Sequence, residues 1–158
     1  MTTTTQDSDA ITDPAQMSGL QLLRAMSALP RDQVPSISRL LGMSVIELEE
    51  GRVSLAVESR PDFANPLGTV HGGICATLLD SVMGTAVHTT LAPGLGYSTL
   101  ELKVNFIRTV TTDGQRLTAT GTIVHVGRRT ATAEGRVLDE RGKLVAHGTT
   151  TCIIQPLR

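Results

Sequence analysis

The hydrophobic pattern changes period along the chain, and each change marks an element. Residues 1–17 are polar, rich in Thr and Asp, and show no period. Such a stretch buries too little apolar surface to order itself and reads as a disordered tail. From 18 to 29, Leu20, Leu22, Leu23, Met26 and Leu29 fall at roughly helical spacing, with Ser18 placed to cap the helix and Pro30 to stop it. A short helical turn is expected after Pro35, through Ile37, Leu40 and Leu41, ending near Gly42. The period then shortens. Residues 45–49 and 53–58 read as a strand pair around Glu50-Gly51, with Val53, Leu55 and Val57 alternating with polar or small residues. Residues 61–68, with two prolines, form an irregular loop.

The segment from 72 to about 91 differs from the rest. Ile74, Cys75, Ala76, Leu78, Leu79, Val82, Met83, Ala86 and Val87 surround nearly the whole circumference of a helix. A helix apolar on most sides is buried rather than laid on a surface. It is too short, and too interrupted by Ser, Thr and Gly, to span a membrane. Residues 92–96 close it with loop chemistry. The remainder is strand-like: 98–108, with Leu100, Leu102, Val104 and Phe106 alternating against Thr99, Glu101, Lys103 and Asn105; then 116–126, 129–138 and 144–154, joined by turns at 111–114 and 139–142. Strands that follow one another through short links favour an antiparallel sheet. The pattern therefore predicts an α+β fold in which a sheet of two early and four late strands curves around one long central helix, as a single domain over 18–158.

Composition narrows the functions. The chain has 158 residues, 40% hydrophobic and 18% charged, with a formal net charge of -1, which suits one soluble globular domain. With no basic run, duplex nucleic acid and anionic membranes are not expected partners. Phe63, Tyr97 and Phe106 are the only aromatics, too few for a base-stacking platform. Cys75 and Cys152 offer neither metal-type spacing nor a disulfide framework, and His88, His125 and His147 are scattered, so no metal and no cofactor are predicted. The start lacks a basic region followed by an apolar run, and a reduced, cytoplasmic setting is expected.

The chemistry concentrates in 65–80. His71-Gly72-Gly73 opens the buried helix. Helix starts carry unpaired amide hydrogens and partial positive charge, and glycine lets another molecule approach the backbone closely. Together these suit an oxyanion or a polarised carbonyl, although the same glycines also permit tight helix–sheet packing. Asp80 is the only charged side chain from Gly72 to Val87 and lies among Leu78, Leu79, Val82 and Met83. A carboxylate so placed costs several kcal/mol unless it is paired or used. Eight residues separate Gly72 from Asp80, about 12 Å along a helix axis, whereas a base must lie about 3 Å from the water it activates. If both act on one carbonyl, Gly72 of one subunit must face Asp80 of another, and a two-fold dimer supplies this with two equal sites. Cys75 lies four residues after His71 at a helix start, where a thiol is acidified, but its simpler reading is a small buried core residue.

Asn65, His71-Gly72-Gly73 and Asp80 at these spacings, with strand, strand, long helix and four strands in that order, resemble the hotdog-fold acyl-CoA thioesterases of the phenylacetate-degradation type. The resemblance spans about 40–154. It implies acyl-CoA as substrate and Asp80 as general base or nucleophile. It further implies the Gly72 amide, with Gly73 beside it, at the thioester carbonyl, Asn65 near that carbonyl, and His71 holding the loop and helix start. A Ser or Thr early in the next strand positions the water in similar enzymes; Thr99 is the match and Ser98 the second choice. Coenzyme A is implied near Gly127-Arg128-Arg129, where arginines suit phosphate but also suit a basic corner facing solvent. A homodimer, assembled further into a homotetramer, is implied too. Two other readings remain open at this point: a non-catalytic acyl-CoA binding module of the same fold, and a hydratase or dehydratase. Gly68 and Thr69 stand where the hydratase branch carries its polar loop residues.

Overall fold

The computed structural model describes residues 13–30 and 36–157. Most of the expected tail, 1–12, and Pro35 lie outside the described residues; within 13–17, Pro14–Gln16 make one 3-10 turn capped by the Asp13 side chain. Helix α1 spans Gly19–Ala28, and Ser18 caps it through a reciprocal capping box with Gln21. Helix α2 spans Ile37–Leu41 and ends on Gly42 in a left-handed conformation. Strands β1 (Ser44–Glu49) and β2 (Arg52–Glu58) precede the central helix α3 (Gly72–Thr89), and β3 (Leu95–Phe106), β4 (Arg116–Val126), β5 (Thr130–Leu138) and β6 (Leu144–Pro156) follow it. The six strands form one sheet in the order β1-β2-β4-β5-β6-β3, and every neighbouring pair is antiparallel. The expected α+β architecture, a sheet curved around one long helix, is the one observed.

What lets a flat-faced helix sit so close to the sheet is a row of small residues. Gly121, Gly135 and Gly148 stand opposite one another on β4, β5 and β6. A Cβ on Gly121 would come 2.5 Å from the backbone carbon of Val82, and one on Gly135 would meet Met83 and Leu79 at 3.0 and 3.1 Å. The three glycines form a trough that receives α3. Leu78, Leu79, Val82, Met83, Ala86 and Val87 lose all exposure there, and each fully buried large side chain contributes about 1.5–3 kcal/mol.

Burial does not run all the way round the helix. Ala76, Thr77, Asp80, Ser81, Thr85 and His88 are only half-buried. The expectation of a carboxylate deep among apolar neighbours is corrected here: Asp80 points along the open face, toward β3. That strand is an edge, paired with β6 on one side only. It begins at Leu95, three residues before the expected start, because the loop-like Leu95-Gly96-Tyr97 is already paired to β6. A bulge between Thr99 and Glu101 then shifts its phase. Leu100 therefore turns out to solvent, 60% exposed, instead of joining Leu102 and Val104 against the core as strict alternation predicts.

Candidate active site

The loop that delivers the start of α3 is organised by its own side chains. Asn65 Oδ1 accepts from the Leu67 and Thr69 amides at 2.9 and 3.2 Å, and Asn65 Nδ2 donates to Thr69 Oγ1 at 2.9 Å. The His71 amide donates to the Phe63 carbonyl at 2.7 Å. His71 is itself the N-cap: its Nδ1 accepts from the Gly73 amide at 2.9 Å, and its carbonyl accepts from Ile74 at 2.9 Å. A histidine used in this way presents a neutral ring nitrogen as acceptor and satisfies one orphan donor of the helix start. The Gly73 amide is therefore occupied within the chain, and the Gly72 amide is the first of α3 without a partner among the described residues.

Gly72 opens onto a cleft of about 260 Å³ whose walls include Asn65, Cys75, Phe106 and Arg108. A Cβ on Gly72 would meet the Phe106 ring at 3.1 Å, so the aromatic edge lies directly over the helix start. Neither Phe106 nor Arg108 stands out in the sequence. The register of β3 brings Phe106 here, and the Ile107 and Arg108 amides, both donating to the Val145 carbonyl, hold the segment after it; Phe106 keeps 58% of its surface exposed. Cys75 shares the cleft wall but is buried, and burial pushes its thiol up to about 11. The acidifying effect expected of a helix start is outweighed, and a neutral thiol is a poor nucleophile.

Asp80 belongs to a different place. It does not line the Gly72 cleft, in keeping with about 12 Å of helix between them. Its Oδ1 accepts from the Thr99 hydroxyl at 2.8 Å. The Ser98 hydroxyl is engaged elsewhere, accepting from Gln155 Nε2 at 2.9 Å. Thr99 is exposed and Asp80 half-exposed, beside the free edge of β3. Buried Cys152 stands opposite Thr99 on β6, its thiol raised by burial.

Gly127, Arg128 and Arg129 form the β4–β5 corner, and both arginines are exposed. The Gly127 amide donates to the Thr130 carbonyl at 2.8 Å, and the Arg129 carbonyl accepts from Ile154 at 2.9 Å. Register places this corner in the row of Thr130, Ile153 and Ser98, two strand spacings, about 10 Å, from the Thr99 end of β3. Within one chain, then, Asn65, His71, Gly72 and Gly73 come together, Asp80 and Thr99 come together, and the two groups remain apart. The described residues hold no group of three or more His, Cys, Asp or Glu placed to share a metal ion, and no helix among them is long and apolar enough to cross a membrane.

Comparison with known proteins identifies the family and the fold. The model of the thioesterase superfamily matches residues 67–146. The 1,4-dihydroxy-2-naphthoyl-CoA hydrolase of Listeria monocytogenes is 22% identical over 122 residues, 77% of this chain and 98% of that protein. Among solved structures, the PaaI protein of the E. coli phenylacetic acid degradation operon superposes with a TM-score of 0.75 at 21% identity, covering 91% of this chain and 96% of that one. A variant of the phenylacetic acid degradation protein PaaI from Thermus thermophilus superposes with a TM-score of 0.68 at 34% identity, covering 73% of this chain and 96% of the other.

Proposed function

The chain belongs to the thioesterase superfamily of hotdog-fold enzymes, and on that premise we propose that it hydrolyses acyl-CoA thioesters at a site shared between two subunits. The single observation that carries the reading is the Thr99–Asp80 hydrogen bond at 2.8 Å on the open face of α3. It holds a carboxylate in one orientation, at the surface, beside an unpaired sheet edge. The Listeria relative is named as a CoA-ester hydrolase, which supports the substrate class and puts aryl esters on the panel to be tried.

In this reading β3 of one subunit pairs with β3 of another, joining two free edges, and the two-fold axis brings the Gly72 cleft of each chain to the Asp80 of its partner. A water held by Thr99 gives its proton to the Asp80 carboxylate and attacks the thioester carbonyl carbon. The resulting oxyanion lies against the partner's free Gly72 amide at the positive end of α3. Collapse breaks the carbon–sulfur bond, and the departing CoA thiolate recovers the proton from Asp80. If Asp80 instead attacks the thioester carbon directly, the carbon–sulfur bond breaks, CoA leaves as thiolate and an acyl–Asp80 anhydride forms, which water opens at the Asp80 carbonyl; a single turnover in heavy-oxygen water then puts the label in Asp80, whereas the general-base route puts it in the product acid. Asn65 and His71 keep the Gly72 amide in place, and Arg128 and Arg129 meet the phosphates of CoA.

The test is thiol release from phenylacetyl-, hydroxybenzoyl-, hexanoyl- and lauroyl-CoA by wild type and Asp80→Asn. Wild-type release with a loss of about 10²–10⁴-fold in the variant, at unchanged melting temperature, is the expected result. Equal release from both would sink the role given to Asp80.

A further inference from the structure

The seam between α3 and the first half of β3 holds more than the Asp80–Thr99 pair. On the helix, Asp80, Gly84 and His88 follow at four-residue intervals and share a face. On the strand, Thr99 and Tyr97 are two residues apart and point to the same side. The seam is therefore built of successive rungs, Thr99 on Asp80 and Tyr97 on Gly84. The second rung is unusually tight: a Cβ on Gly84 would lie 2.5 Å from both Cε2 and Oη of Tyr97. The ring fits only because position 84 has no side chain, and its hydroxyl lies against the side chain of Thr85. Behind it, the His88 ring is tilted 58° to that of Tyr97 at 5.7 Å, and His88 Nε2 is buried without a hydrogen-bond partner among the described residues.

The two rungs differ in openness. Thr99 is exposed and Asp80 half-buried, whereas Gly84 is buried beneath the phenol ring. They also differ in what lies beyond them. Past Thr99 the strand turns through its bulge to exposed Glu101 and Lys103, while in the other direction Leu95, Tyr97 and Ile154 pack on the core. An apolar acyl group whose carbonyl sits at Asp80 lowers its free energy by running toward the apolar side. There it meets the Tyr97 ring one helical turn, about 5.4 Å, further on. We propose that Tyr97, seated in the Gly84 notch, ends the acyl pocket beside Asp80 and sets the length of acyl group the enzyme accepts. This rests on the thioesterase reading of Asp80, and it adds a specificity-determining residue that takes no part in the bond-breaking step.

One methylene in a closed apolar pocket discriminates by roughly 10- to 200-fold, so opening or closing the notch has a readable effect. The measurement is kcat/KM for hexanoyl- and lauroyl-CoA in wild type, Tyr97→Leu and Gly84→Ala. Tyr97→Leu shortens the plug, and the lauroyl-to-hexanoyl ratio is expected to rise by about tenfold or more. Gly84→Ala pushes the ring out of its notch into the path of the chain, and the ratio falls. A purely structural role would lower both rates together and leave the ratio unchanged, which overturns the proposal. Tyr97→Met, which keeps much of the volume on a flexible stem, replaces Tyr97→Leu if that variant does not fold. If wild type releases no thiol from any ester, the thioesterase reading fails separately. The same ratio is then read from calorimetric affinities of the two esters, where a shift in Tyr97→Leu upholds the pocket assignment and no shift removes it.

Discussion

The two faces of α3 are held in opposite ways. One face lies in a trough of Gly121, Gly135 and Gly148, where Leu79, Val82 and Met83 have no exposure at all. The other carries Thr77, Asp80, Ser81 and Thr85, half-exposed against an edge strand with one side unpaired. The first face fixes where the helix is, and the second presents polar groups on a support that cannot yield. The contrast explains how a carboxylate is tolerated in a helix this apolar: the cost of burying it is avoided by leaving it at the surface, where the Thr99 hydroxyl orients it.

The largest effect is expected at the helix start. Gly72 is the first residue of α3, its predecessor His71 is extended, and a helix tolerates proline at that position. Gly72→Pro removes the amide hydrogen, whereas Gly72→Ala keeps it and adds a Cβ that presses on the same Phe106 ring. Loss of one oxyanion donor costs about 10²–10³ in kcat, so the proline variant is expected to fall that far below the alanine variant in the thiol-release assay. Next is the trough. Gly121→Ala drives a methyl group into the Val82 backbone, and chemical denaturation is expected to show about 1–3 kcal/mol of lost stability. A smaller effect is expected at the open face. Thr99→Val keeps the shape and removes the donor to Asp80; kcat should fall roughly tenfold, as for the loss of one hydrogen bond to a charged group, with little change in denaturation midpoint.

Much of this was legible in the residues. The α3 segment announces itself by its apolar circumference, β4 by a run from Arg116 to Val126 that the structure reproduces, and α1 by Ser18 and Pro30. The start of α3 at His71-Gly72-Gly73 and the lone charge of Asp80 single out both halves of the candidate site. What stayed hidden depends on pairing between distant strands. Leu95-Gly96-Tyr97 has the composition of a loop, and only its ladder with β6 makes it strand. The bulge after Thr99 has no local signature, yet it decides that Leu100 faces solvent and that Thr99 reaches Asp80. The trough glycines lie on three separate strands, so no local pattern joins them. Phe106 over Gly72 and Tyr97 over Gly84 are likewise products of register.

In the proposed enzyme each site draws Gly72 from one subunit and Asp80 from the other. Co-expression of Asp80→Asn chains with Gly72→Pro chains, each inactive alone, tests it directly. A mixed dimer then contains one site with both residues intact. With random pairing, thiol release is predicted to recover to about a quarter of the wild-type rate. If the mixture stays as inactive as its two components while the mixed dimer is shown to form, the two residues do not act across an interface, and the shared-site account is wrong.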